Sequence, residues 1–135
     1  MRNSRITTHF EGLATKKILI VDDEPDITLT LRKGIELSGY DVHSFNDPLA
    51  ALSSYKPDIY DLLVIDIRMP NMTGFELYRK IKVLDSRVRV CFITAFETYY
   101  EKFKQEFFSF EEIKGFIRKP IQIEDLVRFV NTVTK

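Results

Sequence analysis

Short apolar runs alternate with helical patterns along most of the chain. Four continuous apolar runs and one segment of alternating apolar and polar residues predict five strands. They occupy residues 18–21, 40–45, 62–65, 88–93 and 116–117. Between and after the strands, apolar residues recur three or four positions apart, as on the buried face of a helix. These residues are Ile27, Leu31 and Ile35; Leu49 and Leu52; Leu77, Ile81 and Leu84; and Ile123, Leu126, Val127, Val130 and Val133.

Residues typical of helix ends flank these patterns. Pro48 suits a first helical position, and Asp47 can cap the same helix. Thr73 and Glu76 have the spacing of a capping box, and Gly39 suits a helix stop. Strands that alternate with helices in this way predict a mostly parallel sheet covered on both faces, which is a doubly wound α/β domain.

The regular pattern begins near residue 17, and we expect one domain over residues 17–135. Residues 1–16 have no apolar period and are predicted to form a flexible arm. No apolar stretch approaches the roughly 20 residues that a membrane span needs, and the N-terminus lacks the apolar core of a secretory signal. We therefore expect a cytoplasmic protein with no membrane partner.

Composition narrows the choice of partners further. The chain has 20 basic and 20 acidic side chains, so its formal net charge is zero. Because a nucleic-acid-binding domain needs a basic face, we expect no nucleic-acid partner. The single cysteine, Cys91, lies in an apolar run and is expected to be a buried, reduced thiol.

Polar side chains come directly after four of the predicted strands. Asp22 and Asp23 follow the first strand, Asp66 the third, Thr94 the fourth and Lys119 the fifth. Ligands of open parallel sheets bind beyond the carboxyl ends of the strands, so all five side chains should point into one crevice.

Three carboxylates in one crevice would repel one another and call for a compensating cation. Mg²⁺ prefers oxygen ligands and tends to keep waters, which leaves room for a phosphoryl oxygen. Lys119 and the Thr94 hydroxyl would hold the remaining phosphoryl oxygens. An aspartate can itself be the nucleophile and form an acyl phosphate.

The motifs at these strand ends resemble those of the response-regulator receiver domains of two-component signalling. They are residues 18–23 with Glu24 and Pro25, residues 66–74, Thr94 with Ala95, and Lys119 with Pro120. They occur in the family's order and at about its spacing, over residues 17–135. The resemblance implies a flavodoxin-like, five-stranded parallel sheet of strand order 2-1-3-4-5 with five helices.

The resemblance also implies a role for each acidic residue of the crevice. Asp66 would be the phosphoacceptor. Asp23 and Asp66 would bind Mg²⁺ directly, together with the backbone carbonyl of Arg68. Asp22 would support the ion from its outer coordination sphere.

The remaining motif residues are implied to bind the phosphoryl group and to transmit its arrival. Lys119 and Thr94 would contact the phosphoryl oxygens, and the Lys119–Pro120 peptide would be cis. Thr94 and Phe116 resemble the family's switch pair, in which the hydroxyl moves to the phosphoryl group and the ring turns inward. Gly74 would permit a tight approach of the third helix.

Receiver domains are signalling proteins, so we expect no enzyme activity beyond self-phosphorylation and self-dephosphorylation. The expected partners are a sensor histidine kinase or phosphotransfer protein and a separate output protein. The usual output or dimer surface of the family is the face of the fourth helix, fifth strand and fifth helix. Residues 97–114 are rich in aromatic side chains, including Tyr100 and Phe107. They predict either extra core or a phosphorylation-sensitive contact on that face, with a possible homodimer.

Two departures from the family pattern bear on the switch and on the lifetime of the acyl phosphate. Phe116 stands where receivers often have tyrosine, so a hydrogen bond at the tip of the ring is excluded. Arg68 and Phe96 stand at positions that tune the attack of water, and their bulk predicts slow hydrolysis.

Other interpretations remain open. We expect a stand-alone receiver, but the chain could instead be a phosphorelay intermediate or part of a longer regulator. An aspartyl-phosphate hydrolase of the haloacid dehalogenase type uses similar residues but places its nucleophile after the first strand in an Asp-x-Asp motif, which Asp22 and Asp23 do not match. A dinucleotide enzyme would need a glycine-rich turn there.

Overall fold

The computed structural model describes residues 15–95, Glu101 and residues 111–135. All five predicted strands are present: β1 (Lys17–Val21), β2 (Asp41–Phe45), β3 (Leu62–Asp66), β4 (Val90–Thr94) and β5 (Ile113–Arg118). The described part of the chain also forms four helices: α1 (Pro25–Leu37), α2 (Pro48–Ser54), α3 (Gly74–Leu84) and α4 (Ile123–Val133). No helix within these ranges is both long and apolar enough to cross a membrane.

Some predictions fall outside the described residues. The fifth predicted helix, which would lie between β4 and β5, falls on residues 96–110, of which Glu101 alone is described. Phe96, Tyr100 and Phe107 lie there, so the aromatic face and the shielding role of Phe96 stay predictions. Most of the predicted N-terminal arm, residues 1–14, also lies outside the described ranges.

The strands form one parallel sheet of order β2-β1-β3-β4-β5. Its helices make the chain a doubly wound α/β domain, so the predicted fold class is confirmed. Because successive side chains of a strand point to opposite faces, the apolar strands supply two cores. One core packs β-strand residues such as Leu19 and Ile65 against α2 and α3, and the other packs Ile20 and Val64 against α1 and α4.

The predicted boundary residues act as expected. The Asp47 carboxylate accepts a hydrogen bond from the Leu49 amide at the start of α2 (3.1 Å). Thr73 and Glu76 form a reciprocal capping box at the start of α3. Gly39 has a φ of +97° after α1, a conformation that strongly favours glycine.

Two strand boundaries differ from those predicted. β4 begins at Val90, because the Val88 amide donates to the Asp85 carbonyl in the turn after α3 (3.3 Å). β5 is longer than the predicted residues 116–117 and includes Lys114 and Gly115. It is an edge strand whose residues are at most half-buried, so it lacks the continuous apolar run of a central strand.

Candidate functional site

The predicted site residues meet at the carboxyl ends of the parallel strands. Asp22 directly follows β1, Asp66 ends β3, Thr94 ends β4 and Lys119 directly follows β5. Asp66 and Lys119 line a cleft of about 440 Å³ at the surface of the domain, and the buried Asp22 lies against Lys119. The cleft is lined by Asp23, Glu24, Asp66, Arg68, Met69, Pro70, Ala95 and Lys119. Asp22, Asp23, Asp66 and Lys119 therefore lie together as the sequence predicts, while Thr94 is buried at the end of β4, next to Ala95 of the lining.

Asp22 lies at the bottom of the site and is fully buried. Its Oδ1 accepts a hydrogen bond from the Glu24 amide (2.9 Å), and its own amide donates to the Phe45 carbonyl (3.1 Å). Burial raises the pKa of Asp22, although the Glu24 amide and the Lys119 ammonium both oppose that rise. The arrangement fixes a carboxylate that solvent does not reach.

Lys119 binds three carboxylates at once. Its Nζ lies 2.9 Å from Asp22 Oδ2, 3.0 Å from Glu24 Oε1 and 3.5 Å from Asp66 Oδ2. Burial opposes the charged form, but the hydrogen bonds to Asp22 and Glu24 and the charge of Asp66 outweigh it, so the pKa of Lys119 is raised. The Lys119–Pro120 peptide is cis, as expected. Lys119 is therefore a firmly charged ammonium inside the site.

Asp66 is buried and surrounded by like charges. Burial is the main reason that the pKa of Asp66 is raised to about 7, and the charges of the neighbouring Asp22 and Asp23 raise it further. Lys119 opposes it without cancelling it. An added cation would therefore stabilise the ionised form of Asp66.

Gly74 fixes the backbone on the other side of Asp66. A Cβ atom at Gly74 would lie 2.3 Å from the Asp66 carbonyl oxygen, closer than any real contact of that kind. The Gly74 amide also donates to the Ile67 carbonyl (2.7 Å). The predicted tight approach of α3 to the end of β3 is therefore confirmed, and only glycine fits it.

Four carboxylates of the site lie close enough to share one cation. One oxygen from each of Asp22, Asp23, Glu24 and Asp66 lies within 4.8 Å of the others. Carboxylate oxygens suit a hard divalent ion such as Mg²⁺. The donor set, together with the raised pKa of Asp66, fits the predicted metal.

The predicted switch residues lie on adjacent strands. The Thr94 side chain is buried at the end of β4, while Phe116 is half-buried in β5. The Phe116 ring stacks on the fully buried Phe92, with centroids 5.8 Å apart and an interplanar angle of 23°. Phe92 in turn makes edge contacts with Phe75 and Tyr78 of α3. In this structure Phe116 is thus part of an aromatic cluster between β5 and α3.

Two residues of the site were missed by the sequence reasoning. Glu24 belongs to a motif of the sequence that predicts no role for its side chain, and in the structure it is an ion-pair partner of Lys119. Asn46 directly follows β2, and its Nδ2 donates to the Asp22 carbonyl (2.8 Å) and the Thr28 hydroxyl (2.9 Å). The strand-end rule that selected Asp66 would also have selected Asn46.

Comparison with known sequences identifies a family and several relatives of this chain. The family model described as response regulator receiver domain matches residues 18–131. The response regulator receiver protein CpdR of Brucella abortus is 36% identical over 81 residues, which cover 60% of this chain and 68% of CpdR. Sporulation initiation phosphotransferase F of Bacillus subtilis is 33% identical over 84 residues, covering 62% of this chain and 68% of that protein.

Other relatives are much longer than this chain. The sensor protein EvgS of Escherichia coli strain K12 is 44% identical over 78 residues, or 58% of this chain, but the match covers only 6% of EvgS. The match to the transcriptional regulatory protein PrrA of Mycobacterium tuberculosis covers 36% of that protein. The likeness is therefore to one domain of these proteins.

Solved structures show the same architecture. The non-phosphorylated HemR receiver domain of Leptospira biflexa superposes with a TM-score of 0.79 at 26% identity, covering 90% of this chain and 95% of that one. The Thermotoga maritima response regulator TrrA in complex with Mg²⁺ and BeF superposes with a TM-score of 0.73 at 25% identity, covering 88% of this chain and 99% of that one.

Proposed function

The chain belongs to the response regulator receiver family of two-component signalling, and on that premise we propose that it accepts a phosphoryl group on Asp66 with the help of Mg²⁺. The observation that carries the proposal is the position of one buried carboxyl among three others, with the Lys119 ammonium 3.5 Å from it. Such a site has a nucleophile, a cation for the transferred group and ligands for a metal.

In the proposed reaction, an Asp66 oxygen attacks the phosphorus of a phosphohistidine or a small acyl phosphate. The new bond is an acyl phosphate, and the bond from phosphorus to the donor breaks. Lys119 and Thr94 stabilise the charge on the phosphoryl oxygens. Asp23, Asp66 and the Arg68 carbonyl would hold Mg²⁺, with Asp22 supporting them, and the bound ion would supply positive charge to the same oxygens.

Signalling follows from the new group at Asp66. Thr94 moves toward the phosphoryl oxygens, and the Phe116 ring turns into the space that Thr94 leaves. The surface of β5, α4 and the predicted helix before β5 then changes its contacts with an output protein or with a second copy of the chain. The proposed partners at the input are a sensor histidine kinase or a phosphotransfer protein, in the cytoplasm. The chain has no other proposed enzyme activity.

The direct test is incubation with acetyl phosphate and Mg²⁺, followed by intact mass spectrometry. We expect one phosphoryl adduct on the wild type and none on Asp66→Asn. Asp26→Asn is the matched control, because Asp26 is an exposed acid in the first turn of α1. An adduct that survives Asp66→Asn, or one that forms equally well without a divalent cation, would overturn the proposal.

A phosphorelay role is the second candidate, because one relative is a sporulation initiation phosphotransferase that matches over 68% of its length. The two roles differ in the fate of the acyl phosphate. A relay intermediate passes its phosphoryl group rapidly to a histidine phosphotransfer protein, whereas a terminal receiver keeps it. Phosphotransfer from labelled chain to purified histidine phosphotransfer proteins separates them.

A further inference from the structure

The ammonium of Lys119 is already held by carboxylates, and its Nζ donates a hydrogen bond to Glu24 Oε1 (3.0 Å). An ammonium carries three N–H donors, and here three carboxylates, those of Asp22, Glu24 and Asp66, surround it at 2.9, 3.0 and 3.5 Å. A phosphoryl oxygen that approaches Lys119 therefore competes with these carboxylates for the ammonium.

The three carboxylates differ in how easily they give up Lys119. The Asp22 side chain is 0% exposed, and without Lys119 its Oδ2 would be a buried charge with no cation beside it. The Glu24 side chain is 60% exposed, so water can replace Lys119 at its carboxylate with little loss. Asp66 is itself the group that is modified. The contact between Lys119 and Glu24 is therefore the easiest of the three to break.

The backbone of Glu24 stays in place when its side chain moves. The Glu24 amide donates to Asp22 Oδ1, and its carbonyl accepts from the Ile27 and Thr28 amides at the start of α1. Glu24 occupies the N-cap position of α1, but its side chain makes no capping hydrogen bond there. Rotation of the Glu24 side chain would therefore break its hydrogen bond with Lys119 (3.0 Å) without disturbing the start of α1.

We propose that Glu24 is a positioning residue that holds Lys119 in the resting site and competes with a phosphoryl oxygen for its ammonium. The inference rests on the proposed function. Glu24 is also expected to affect the binding of the metal. The Glu24 carboxylate also belongs to the group of acids within 4.8 Å of one another, so its charge favours a divalent cation. Glu24 thus acts in opposite directions on the two ligands of the site: it weakens anion binding and strengthens cation binding.

The test uses Glu24→Gln and two binding measurements that need no phosphoryl transfer. Mg²⁺ is titrated alone and followed by amide chemical shifts. Beryllofluoride, a phosphoryl mimic, is then titrated at saturating Mg²⁺. An exposed ion pair contributes up to about 1 kcal/mol, which corresponds to roughly a fivefold change in a dissociation constant. We expect Glu24→Gln to bind Mg²⁺ about two- to fivefold more weakly and beryllofluoride about two- to fivefold more tightly.

Asp26→Asn is the control, because it removes one negative charge near the start of the same helix without touching Lys119. We expect it to change both constants by less than about twofold. If Glu24→Gln matched this control, or moved both constants in the same direction, the inference would be overturned. A wild type that binds Mg²⁺ but no beryllofluoride would overturn the proposed function, and this inference with it.

Discussion

Two buried acids at opposite ends of the sheet have very different surroundings. At the amino end, Asp85 follows α3, and its Oδ2 accepts hydrogen bonds from the Tyr55 hydroxyl (2.7 Å) and the Asp58 amide (3.2 Å). At the carboxyl end, Asp66 has carboxylates as neighbours, and its pKa is raised to about 7 by burial and by those charges. The comparison teaches that this fold can satisfy a buried acid with neutral donors, as at Asp85, yet surrounds Asp66 with charged side chains.

The site at the carboxyl end is thus less stable alone than it would be with a ligand. Neutral donors would stabilise Asp66 in every condition and leave nothing for a metal or phosphoryl group to improve. Crowded carboxylates instead make the stability of the domain depend on what binds there. The following predictions test that contrast.

The largest effect is expected for Asp66→Asn, which removes the charge but keeps the shape of the side chain. Folding raises the pKa of Asp66 from 3.8 to about 7, so the ionised carboxyl is less stable in the folded state than in the unfolded one. We expect the variant to be more stable than the wild type by about 2–3 kcal/mol at pH 8 without Mg²⁺, as measured by urea unfolding.

We also expect the difference in unfolding free energy between the wild type and Asp66→Asn to depend on pH. Between pH 4 and about 7 the unfolded state ionises Asp66 while the folded state keeps it protonated, so the wild type loses stability as pH rises. Above pH 7 both states are ionised and the difference from Asp66→Asn becomes constant. A difference that is independent of pH across this window would show that Asp66 is not electrostatically strained.

Gly74→Ala should damage the same end of the sheet by displacing backbone. Its Cβ would lie 2.3 Å from the Asp66 carbonyl oxygen, so the end of β3 or the start of α3 must shift. We expect a loss of about 2 kcal/mol in unfolding free energy and slower phosphorylation by acetyl phosphate. Gly34→Ala is the control, because its Cβ would meet the Ile123 side chain at 2.5 Å, far from the cleft. Equal phosphorylation rates in the two variants would contradict the role given to Gly74.

Tyr55→Phe should affect the amino end alone. It removes the hydroxyl that donates to Asp85 Oδ2 and leaves a buried acceptor with a weaker set of partners. We expect a loss of about 1–2 kcal/mol in urea unfolding and an unchanged rate of phosphorylation. An altered phosphorylation rate would mean that the two ends of the sheet are coupled.

The smallest effect is the stabilisation by Mg²⁺. At about ten times its dissociation constant, a ligand that binds only the folded state adds about 1.4 kcal/mol. We expect that gain in the wild type and in Tyr55→Phe, and a smaller one in Asp66→Asn, which lacks a proposed ligand. Thermal unfolding with and without the metal measures it, and an identical gain in Asp66→Asn would argue against Asp66 as a metal ligand.

Much of the site was predictable because topology alone brings it together. Parallel strands end at one edge, so Asp22, Asp66, Thr94 and Lys119 had to meet once the apolar runs were recognised as strands. The same reasoning applies to Asn46, which directly follows the alternating strand β2. Apolar patterning locates each strand and its last residue, and the helices between the strands imply that all the strands run parallel.

The rest depended on contacts that no local pattern contains. The bond between Tyr55 and Asp85 joins residues 30 positions apart, and the ion pair between Glu24 and Lys119 joins residues 95 apart. Glu24 is exposed, so burial does not dictate its side-chain conformation. A motif gives the place of Glu24 in the chain but not the partner of its side chain. β5 was predicted too short because an edge strand tolerates Lys114 and Gly115, which interrupt its apolar run.

Thr94 and Lys119 are joined by more than their common cleft. The Lys119 amide donates to the Thr94 carbonyl (2.8 Å), and the register pairs Thr94 with Arg118. The spacing of the two side chains is therefore set by hydrogen bonds across the sheet, whatever connects the two strands in sequence. Insertions, deletions and changes of composition between β4 and β5 can accumulate during evolution without altering that spacing. The distance between the Thr94 and Lys119 backbones is thus a property of the sheet and not of the segment that joins the two strands.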